Sequence, residues 1–202
     1  MAERETLYGK TPEELAALCG GLGMPRFAAR QIARWLYVRH TEDPLLMTDI
    51  AAAHRQRLAD AFAPALSAPE RVTESADGTK KYLFRISGGH FIESAYIPDG
   101  ERATLCVSSQ AGCRMGCRFC ATGRQGLQRS LTAAEILNQI VSLPERDKLT
   151  NVVFMGMGEP LDNTGEVLRA LEILTAEWGF GWSPTRITLS TAGVAPELPR
   201  FL

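Results

Sequence analysis

The stretch that decides the fold is residues 103–123, which read ATLCVSSQAGCRMGCRFCATG. An apolar segment typical of a β-strand leads into a loop that holds Cys113, Cys117 and Cys120, spaced C-x₃-C-x₂-C. No cysteine follows this loop in the chain. Because structural metal sites usually have four protein ligands, three clustered cysteines indicate either a fourth ligand from elsewhere or a site with one open position.

Two metal sites are compatible with this cysteine pattern. Cys106, on the preceding segment, could complete a four-cysteine zinc site and make the chain a zinc-binding RNA module. Alternatively, the three thiolates could bind three irons of a 4Fe-4S cluster and leave the fourth iron open to a small chelating ligand. Gly116 would let the loop wrap closely, and Phe119 offers an aromatic face beside the third cysteine. The position of the loop, after a strand and before a capped helix, favours the 4Fe-4S cluster.

The rest of the chain predicts an α/β fold. Helical patterns fill the region up to residue 65, where a capping box at Thr11–Glu14 opens the first helix. Residues 71–107 read as strands separated by glycine turns, and Phe27 is expected on the apolar face of the second helix. Further on, strands alternate with two capped helices, one that begins at a capping box, Thr132–Glu135, and one capped at Asn163–Glu166 that runs to about residue 178. This alternation indicates a parallel sheet with crossover connections. Three parallel strands make a poor free-standing sheet, so we expect a fragment of a larger enzyme.

Composition restricts the class of protein. The net charge is −1, with 45% hydrophobic and 22% charged residues, which is typical of a soluble globular chain. We find no apolar run long enough for a membrane span and no apolar signal core, and therefore expect a cytoplasmic protein. An odd cysteine count argues against a disulfide framework. The four charged residues within 111–130 are all arginines, so a phosphate-bearing partner could bind there.

One acidic residue of the strand region is a candidate base. Glu93 shares a strand face with Phe91, Ala95 and Ile97. Apolar neighbours would raise the pKa of its carboxyl group and suit it to proton transfer. The alternative is a carboxylate that simply faces solvent.

Four separated motifs carry a family resemblance: CVSSQAGCRMGCRFCATG, FMGMGEPL, ITLSTAGV and the upstream IESAYIP. In this order they resemble the radical S-adenosylmethionine (SAM) superfamily. Within it, they are similar to the bacterial dual-specificity rRNA and tRNA adenine-C2 methyltransferases and the related Cfr-type adenine-C8 methyltransferases (the RlmN/Cfr type). The resemblance covers nearly the entire chain. It implies the first half of a partial (β/α) barrel at 101–202, preceded by a helical accessory domain at 1–65, a possible RNA contact, and an antiparallel β segment at 66–100.

The resemblance also implies the site residues. It assigns three cysteines to the 4Fe-4S cluster: Cys113, Cys117 and Cys120. It assigns four residues to SAM, which would chelate the open iron: Phe119, Gly158, Glu159 and Ser190. It assigns Glu93 as the catalytic base and Cys106 as the thiol that resolves a protein–RNA crosslink through a disulfide.

The implied reaction forms 2-methyladenosine in 23S rRNA and in tRNA. One SAM methylates a protein cysteine, and a second SAM, cleaved with an electron from the cluster, activates that methyl group for addition to adenine. The implied partners are the RNA and an electron donor such as flavodoxin or ferredoxin, and we expect a monomer. The methyl-carrying cysteine lies late in this family, so we expect a C-terminally truncated chain that is inactive alone. Methylation at C8 and other radical SAM reactions remain alternatives.

Overall fold

Local sequence signals begin the helices of the N-terminal part. In the computed structural model, which describes residues 4–201, helix α1 spans Pro12–Gly21. The Thr11 hydroxyl accepts a hydrogen bond from the Glu14 backbone N–H at 3.3 Å, and the Glu14 carboxylate accepts one from Thr11 N–H at 2.9 Å. These reciprocal bonds satisfy two of the N–H groups left free at a helix start, so the predicted capping box is confirmed.

Two more α-helices follow in this part, α2 at Ala28–Ala33 and α3 at Ala52–Ala61. Helix α2 continues as a π-helical turn at Arg34–Val38. Ile32 and Leu36 are buried as the helical spacing predicts, but Phe27 is 67% exposed. The expectation for Phe27 is wrong, because this residue occupies the N-cap position just before α2 and its ring faces solvent.

The chain divides into two compact units. The first contains the described residues up to Leu66 together with Arg169–Trp182. Its core includes Tyr37, whose ring centroid lies 5.3 Å from that of Tyr8 and 5.7 Å from that of Trp178. The Tyr37 hydroxyl donates to the Lys10 carbonyl at 2.7 Å, so this buried polar group is satisfied.

The second unit contains Ser67–Leu168 and residues 183–201. Its strands are β1 (Arg71–Glu74), β2 (Lys80–Arg85), β3 (Phe91–Asp99), β4 (Arg102–Cys106), β5 (Gln110–Gly112), β6 (Leu127–Ser130), β7 (Asn151–Phe154) and β8 (Ile187–Leu189). The remaining α-helices of the chain are α4 (Ala121–Arg124), α5 (Ala133–Val141) and α6 (Thr164–Thr175). No helix among residues 4–201 is long and apolar enough to cross a membrane.

Six of these strands form one mixed sheet in the order β1-β2-β3-β4-β7-β8, and β5 pairs with β6 in a separate hairpin. Strands β4, β7 and β8 are parallel, which confirms the predicted α/β arrangement. The three parallel strands do not stand alone, because β4 also pairs with β3 on its other side, antiparallel. Ala95 lies opposite Cys106, and Cys106 lies opposite Val153.

The two faces of β3 differ from the sequence expectation. Ile92, Ser94 and Tyr96 are buried, whereas Phe91 and Glu93 are exposed. The premise that Glu93 is surrounded by apolar groups is therefore wrong. Strand alternation directs Ile92 and Tyr96 into the core and leaves the Glu93 face outward.

Helices α5 and α6 begin and end close to their predicted bounds. Thr132 and Glu135 form the predicted capping box of α5. Helix α6 ends at Thr175, three residues before the predicted end near residue 178. The following turn brings Gly179 against the Ile173 carbonyl, where a side chain would clash, so a glycine is required there.

Candidate cofactor and metal site at the strand ends

The carboxyl ends of β4, β7 and β8 meet at one edge of the sheet because these strands are parallel. In α/β folds this edge commonly carries the functional loops. The loops that follow these strands hold the sequence motifs SSQ (108–110), GMGEP (156–160) and STAG (190–193). The structure therefore brings three separate sequence motifs to one place.

The end of β4 is fixed by buried hydrogen bonds. The Gln139 side-chain amide accepts from Ser108 N–H at 2.8 Å and donates to the Ser108 carbonyl at 2.9 Å. The Ser108 hydroxyl donates to the Glu93 carbonyl at 2.6 Å and accepts from Met157 N–H at 2.9 Å. Both the backbone and the side chain of Ser108 thus hold this loop in place, and Met157 ties the second loop to it.

Gly158 packs directly on the first loop. Its φ angle is +100°, a conformation that residues with a Cβ rarely adopt. A Cβ at this position would lie 2.6 Å from the Gln110 backbone nitrogen and 2.8 Å from the Ser109 hydroxyl oxygen. The glycine therefore permits the close approach of the two loops.

Glu159 is the central carboxylate of this edge and is only 4% exposed. Its Oε1 accepts hydrogen bonds from Leu161 N–H at 2.9 Å and from the Thr191 hydroxyl at 2.6 Å. Its Oε2 accepts from Ala192 N–H at 2.7 Å. Its own backbone N–H donates to Gln110 Oε1 at 3.0 Å. Glu159 is thus bonded to the loops that follow β4 and β8.

The cysteine loop (residues 113–120) leaves β5 and holds thiols in different environments. Cys113 is buried, and burial raises the pKa of its thiol, with the Met115 backbone hydrogen bond opposing the shift. Cys120 is more accessible, and the hydrogen bond from Gly123 N–H, assisted by Thr122 and Arg124, lowers the pKa of its thiol. Cys120 therefore forms a thiolate more readily than Cys113.

The cysteine loop offers three thiols as possible ligands of a metal group. The charges of Cys117 and Cys120 act on Cys113, so the three thiols share one region. Among residues 4–201, however, no three His, Cys, Asp or Glu side chains are arranged to hold one metal ion. A preformed four-cysteine zinc site that includes Cys106 is therefore not present in the described part of the chain. In a 4Fe-4S cluster each cysteine binds its own iron, so the thiols stand farther apart than around one ion.

Two further residues assigned to the cofactor are Phe119, within the cysteine loop, and Ser190, on the loop that follows β8. Phe119 projects into solvent, 89% exposed. Ser190 directly follows β8 and is exposed, next to Thr191, whose hydroxyl bonds Glu159. The structure thus brings Ser190 and Glu159 to neighbouring loops.

The two residues assigned to catalysis share the outward face of the sheet. Ala95 lies opposite Cys106, and Glu93 precedes Ala95 by two residues on the same face. Burial raises the pKa of the Cys106 thiol, and a hydrogen bond from Met155 N–H opposes this effect. Glu93 Oε1 pairs with Lys81 Nζ at 2.9 Å. All cysteines of the chain are free thiols: Cys19, Cys106, Cys113, Cys117 and Cys120.

Sequence reasoning missed three polar residues of this edge: Gln110, Asp162 and Thr191. Gln110 is fully buried and contacts both Asp162 and the Glu159 backbone. Asp162 Oδ2 also accepts from Arg114 Nε at 2.8 Å. Gln110 and Thr191 lie inside motifs that carry the resemblance and Asp162 directly follows one, and this position in the sequence is the signal that could have found them.

Two family models match the chain. The Radical SAM superfamily model matches residues 107–202, which include the cysteine loop, Glu159 and Ser190. The model described as the ribosomal RNA large subunit methyltransferase N-terminal domain matches residues 6–63, the helical part. The fold and the three-cysteine loop thus match those of radical SAM proteins.

Similar proteins narrow this class. A Bacteroides fragilis protein named probable dual-specificity RNA methyltransferase RlmN is 57% identical over 196 residues, covering 97% of this chain and 57% of the relative. A Geotalea uraniireducens protein named dual-specificity RNA methyltransferase RlmN is 47% identical over 197 residues, covering 97% of this chain and 57% of the relative. The crystal structure of a radical SAM methyltransferase from Sphaerobacter thermophilus matches with a TM-score of 0.86 and 40% identity, covering 98% of this chain and 60% of that one.

The chain is similar to proteins of the RlmN family within the radical SAM superfamily. It spans about 57% of the length of the curated relatives it matches.

Proposed function

We propose that this chain supplies the cluster- and SAM-binding part of an enzyme that methylates adenine C2 in 23S rRNA and tRNA. The observation that carries the proposal is the buried Glu159 carboxylate, held by the loops at the ends of parallel strands in the same unit as the cysteine loop. A carboxylate offers about four acceptor positions, and the protein uses three of those on Glu159. The fourth suits the ammonium group of an amino-acid ligand such as SAM.

The chain's own residues would have defined roles at this site. Cys113, Cys117 and Cys120 would bind three irons of a 4Fe-4S cluster, and Gly158 would admit the ligand's amino-acid end close to the backbone. When bound, the cluster supplies the electron that cleaves SAM, an electron that flavodoxin or ferredoxin would deliver. Phe119 and Ser190 would line the rest of the cofactor site.

Glu93 and Cys106 would act on the RNA from the outward sheet face. Glu93 would take the proton from the adenine ring carbon, and its ion pair with Lys81 keeps a positive charge beside the carboxylate. Cys106 would resolve the protein–RNA crosslink. Burial raises the pKa of the Cys106 thiol and thereby favours its protonated form. The thiol must therefore be deprotonated before it can react as a thiolate.

The first unit supports an RNA partner. Arg26, Arg30 and Arg34 are exposed, and among residues 4–201 no carboxylate forms an ion pair with them. Unpaired arginines bind nucleic-acid phosphates by releasing condensed counterions. The exposed ring of Phe27 adds an aromatic surface on which an unstacked base can lie. Since rRNA and tRNA are cytoplasmic substrates, we place the protein in the cytoplasm, acting as a monomer.

Analysis of modified nucleosides tests this function. The full gene of the parent enzyme is expressed in a host that lacks adenine-C2 methylation, and 23S rRNA and tRNA are digested and analysed by mass spectrometry. We expect 2-methyladenosine with the wild-type gene and none with Cys106→Ala or Cys113→Ala. Formation of 8-methyladenosine instead would favour the C8 reaction, and unmodified adenosine in both RNAs would contradict the proposal.

A further inference from the structure

Thr191 makes a hydrogen-bond pair whose direction is fixed. Its hydroxyl oxygen accepts from Gly193 N–H at 2.9 Å and lies 2.6 Å from Glu159 Oε1. An ionised carboxylate can only accept, so the single hydroxyl proton of Thr191 points at Glu159. Gly193 thus holds the hydroxyl in the orientation that serves the carboxylate.

The same loop binds the second oxygen of Glu159. Ala192 N–H donates to Oε2 at 2.7 Å, while Leu161 N–H donates to Oε1 at 2.9 Å. Two of the three donors therefore come from residues that directly follow Ser190. The carboxylate cannot rotate without breaking bonds to both loops.

We propose that Thr191 is a positioning residue of the SAM site, which orients the Glu159 carboxylate and fixes Ser190 beside it. The inference rests on the proposed function, because the ligand it serves is SAM. Holding the carboxylate before the ligand arrives reduces the conformational entropy lost on binding. The free acceptor position on Oε2 is then directed at the ligand's ammonium group.

Substitutions at Thr191 can separate a positioning role from a purely structural role. Thr191 is exposed and lies outside the core, and valine replaces its hydroxyl with a methyl group of similar size beside Glu159, so the substitution removes both hydrogen bonds and leaves the core intact. Serine keeps the hydroxyl and both hydrogen bonds. The effect of Thr191→Val should therefore fall on ligand affinity and on the local backbone, and Thr191→Ser should restore both.

The test compares Thr191→Val, Thr191→Ser and a matched control, Thr73→Val, on the exposed edge strand β1. SAM affinity is measured by anaerobic calorimetry on the reconstituted 202-residue chain. Hydrogen exchange of the Ala192 and Gly193 amides is measured without SAM. We expect Thr191→Val to bind SAM about tenfold more weakly and to exchange faster, whereas the serine variant and Thr73→Val match the wild type.

The outcomes separate this inference from the proposed function. Wild-type affinity in Thr191→Val would overturn the positioning role and leave the proposed function intact. A wild-type chain that takes up the cluster but binds no SAM would overturn the proposed function and the inference together, even with faster exchange in the variant. If Thr191→Val fails to fold, Thr191→Ala replaces it, since alanine removes the hydroxyl without adding bulk.

Discussion

Gln110 and Asp162 are joined by a hydrogen bond of 2.8 Å from Gln110 Nε2 to Asp162 Oδ2. The same Asp162 oxygen accepts from Arg114 Nε, inside the cysteine loop. The other end of the Gln110 amide accepts from Glu159 N–H. A continuous path of hydrogen bonds thus connects the cysteine loop to Glu159, so a substitution at either end should alter the hydrogen bonding at the other.

Removing the charge of Asp162 should weaken this path. In Asp162→Asn, Arg114 loses its carboxylate partner and Gln110 loses a charged acceptor, which we expect to cost about 1–2 kcal/mol of unfolding free energy. Urea denaturation measures the change. The control is Asp147→Asn, because Asp147 is 86% exposed and pairs with Arg146 only at 3.5 Å. An equal effect of both substitutions would contradict a role for the path.

A side chain at Gly158 should disrupt the strand-end site. Gly158→Ala places a Cβ 2.6 Å from Gln110 N and requires a positive φ, so we expect a loss of about 2 kcal/mol or more and weaker SAM binding. The control is Gly165→Ala, in helix α6, where a Cβ meets nothing within 4 Å. That variant should be neutral or slightly stabilised, because alanine favours helix. Equal stability of the two variants would show that the close loop contact does not exist.

The buried Glu145 should make stability depend on pH in the acid range. Burial raises the pKa of Glu145, but the hydrogen bonds from Lys80 at 2.7 Å and from Tyr82 at 2.5 Å outweigh this, so its pKa lies below the ordinary value of 4.5. The stabilisation is present above the unfolded-state pKa and is lost as pH falls through the lower folded-state value. We expect Glu145→Gln to lose about 1 kcal/mol at pH 7 and to differ less from the wild type at pH 3.

Denaturation at the two pH values checks this. Glu101→Gln, at an exposed turn, is the control and should match the wild type at both. A constant difference between Glu145→Gln and the wild type from pH 7 to pH 3 would exclude the ionised carboxylate as the source of the stabilisation.

Charge reversal on α2 and the π-helical turn that follows it should weaken RNA binding. In the double variant Arg30→Glu and Arg34→Glu, two exposed cations become anions. The slope of log RNA affinity against log salt concentration should therefore become shallower by the contribution of about two phosphate contacts. Filter binding of tRNA across a salt series measures the slope. Replacing Lys148, an exposed cation of the second unit, with Glu is the control. An unchanged slope would place the RNA contact elsewhere.

The sequence predicts those features that depend on neighbouring residues. The capping boxes at Thr11 and Thr132, the parallel strands and the α/β class are all confirmed. The exposure of Glu93 could not be predicted from strand alternation, because both faces of β3 carry apolar residues and packing of the whole unit decides which face is covered. The bond between Gln110 and Asp162 joins residues 52 apart, so no local pattern marks it.

The most direct test of the central claim is the metal content of the chain after anaerobic reconstitution with iron and sulfide. We predict a brown protein with roughly four irons and four sulfides per chain. The colour should be lost in Cys113→Ala, Cys117→Ala and Cys120→Ala but kept in Cys106→Ala, since Cys106 is not a ligand in this account. A colourless chain that holds one zinc ion and releases it in Cys106→Ala would contradict the account.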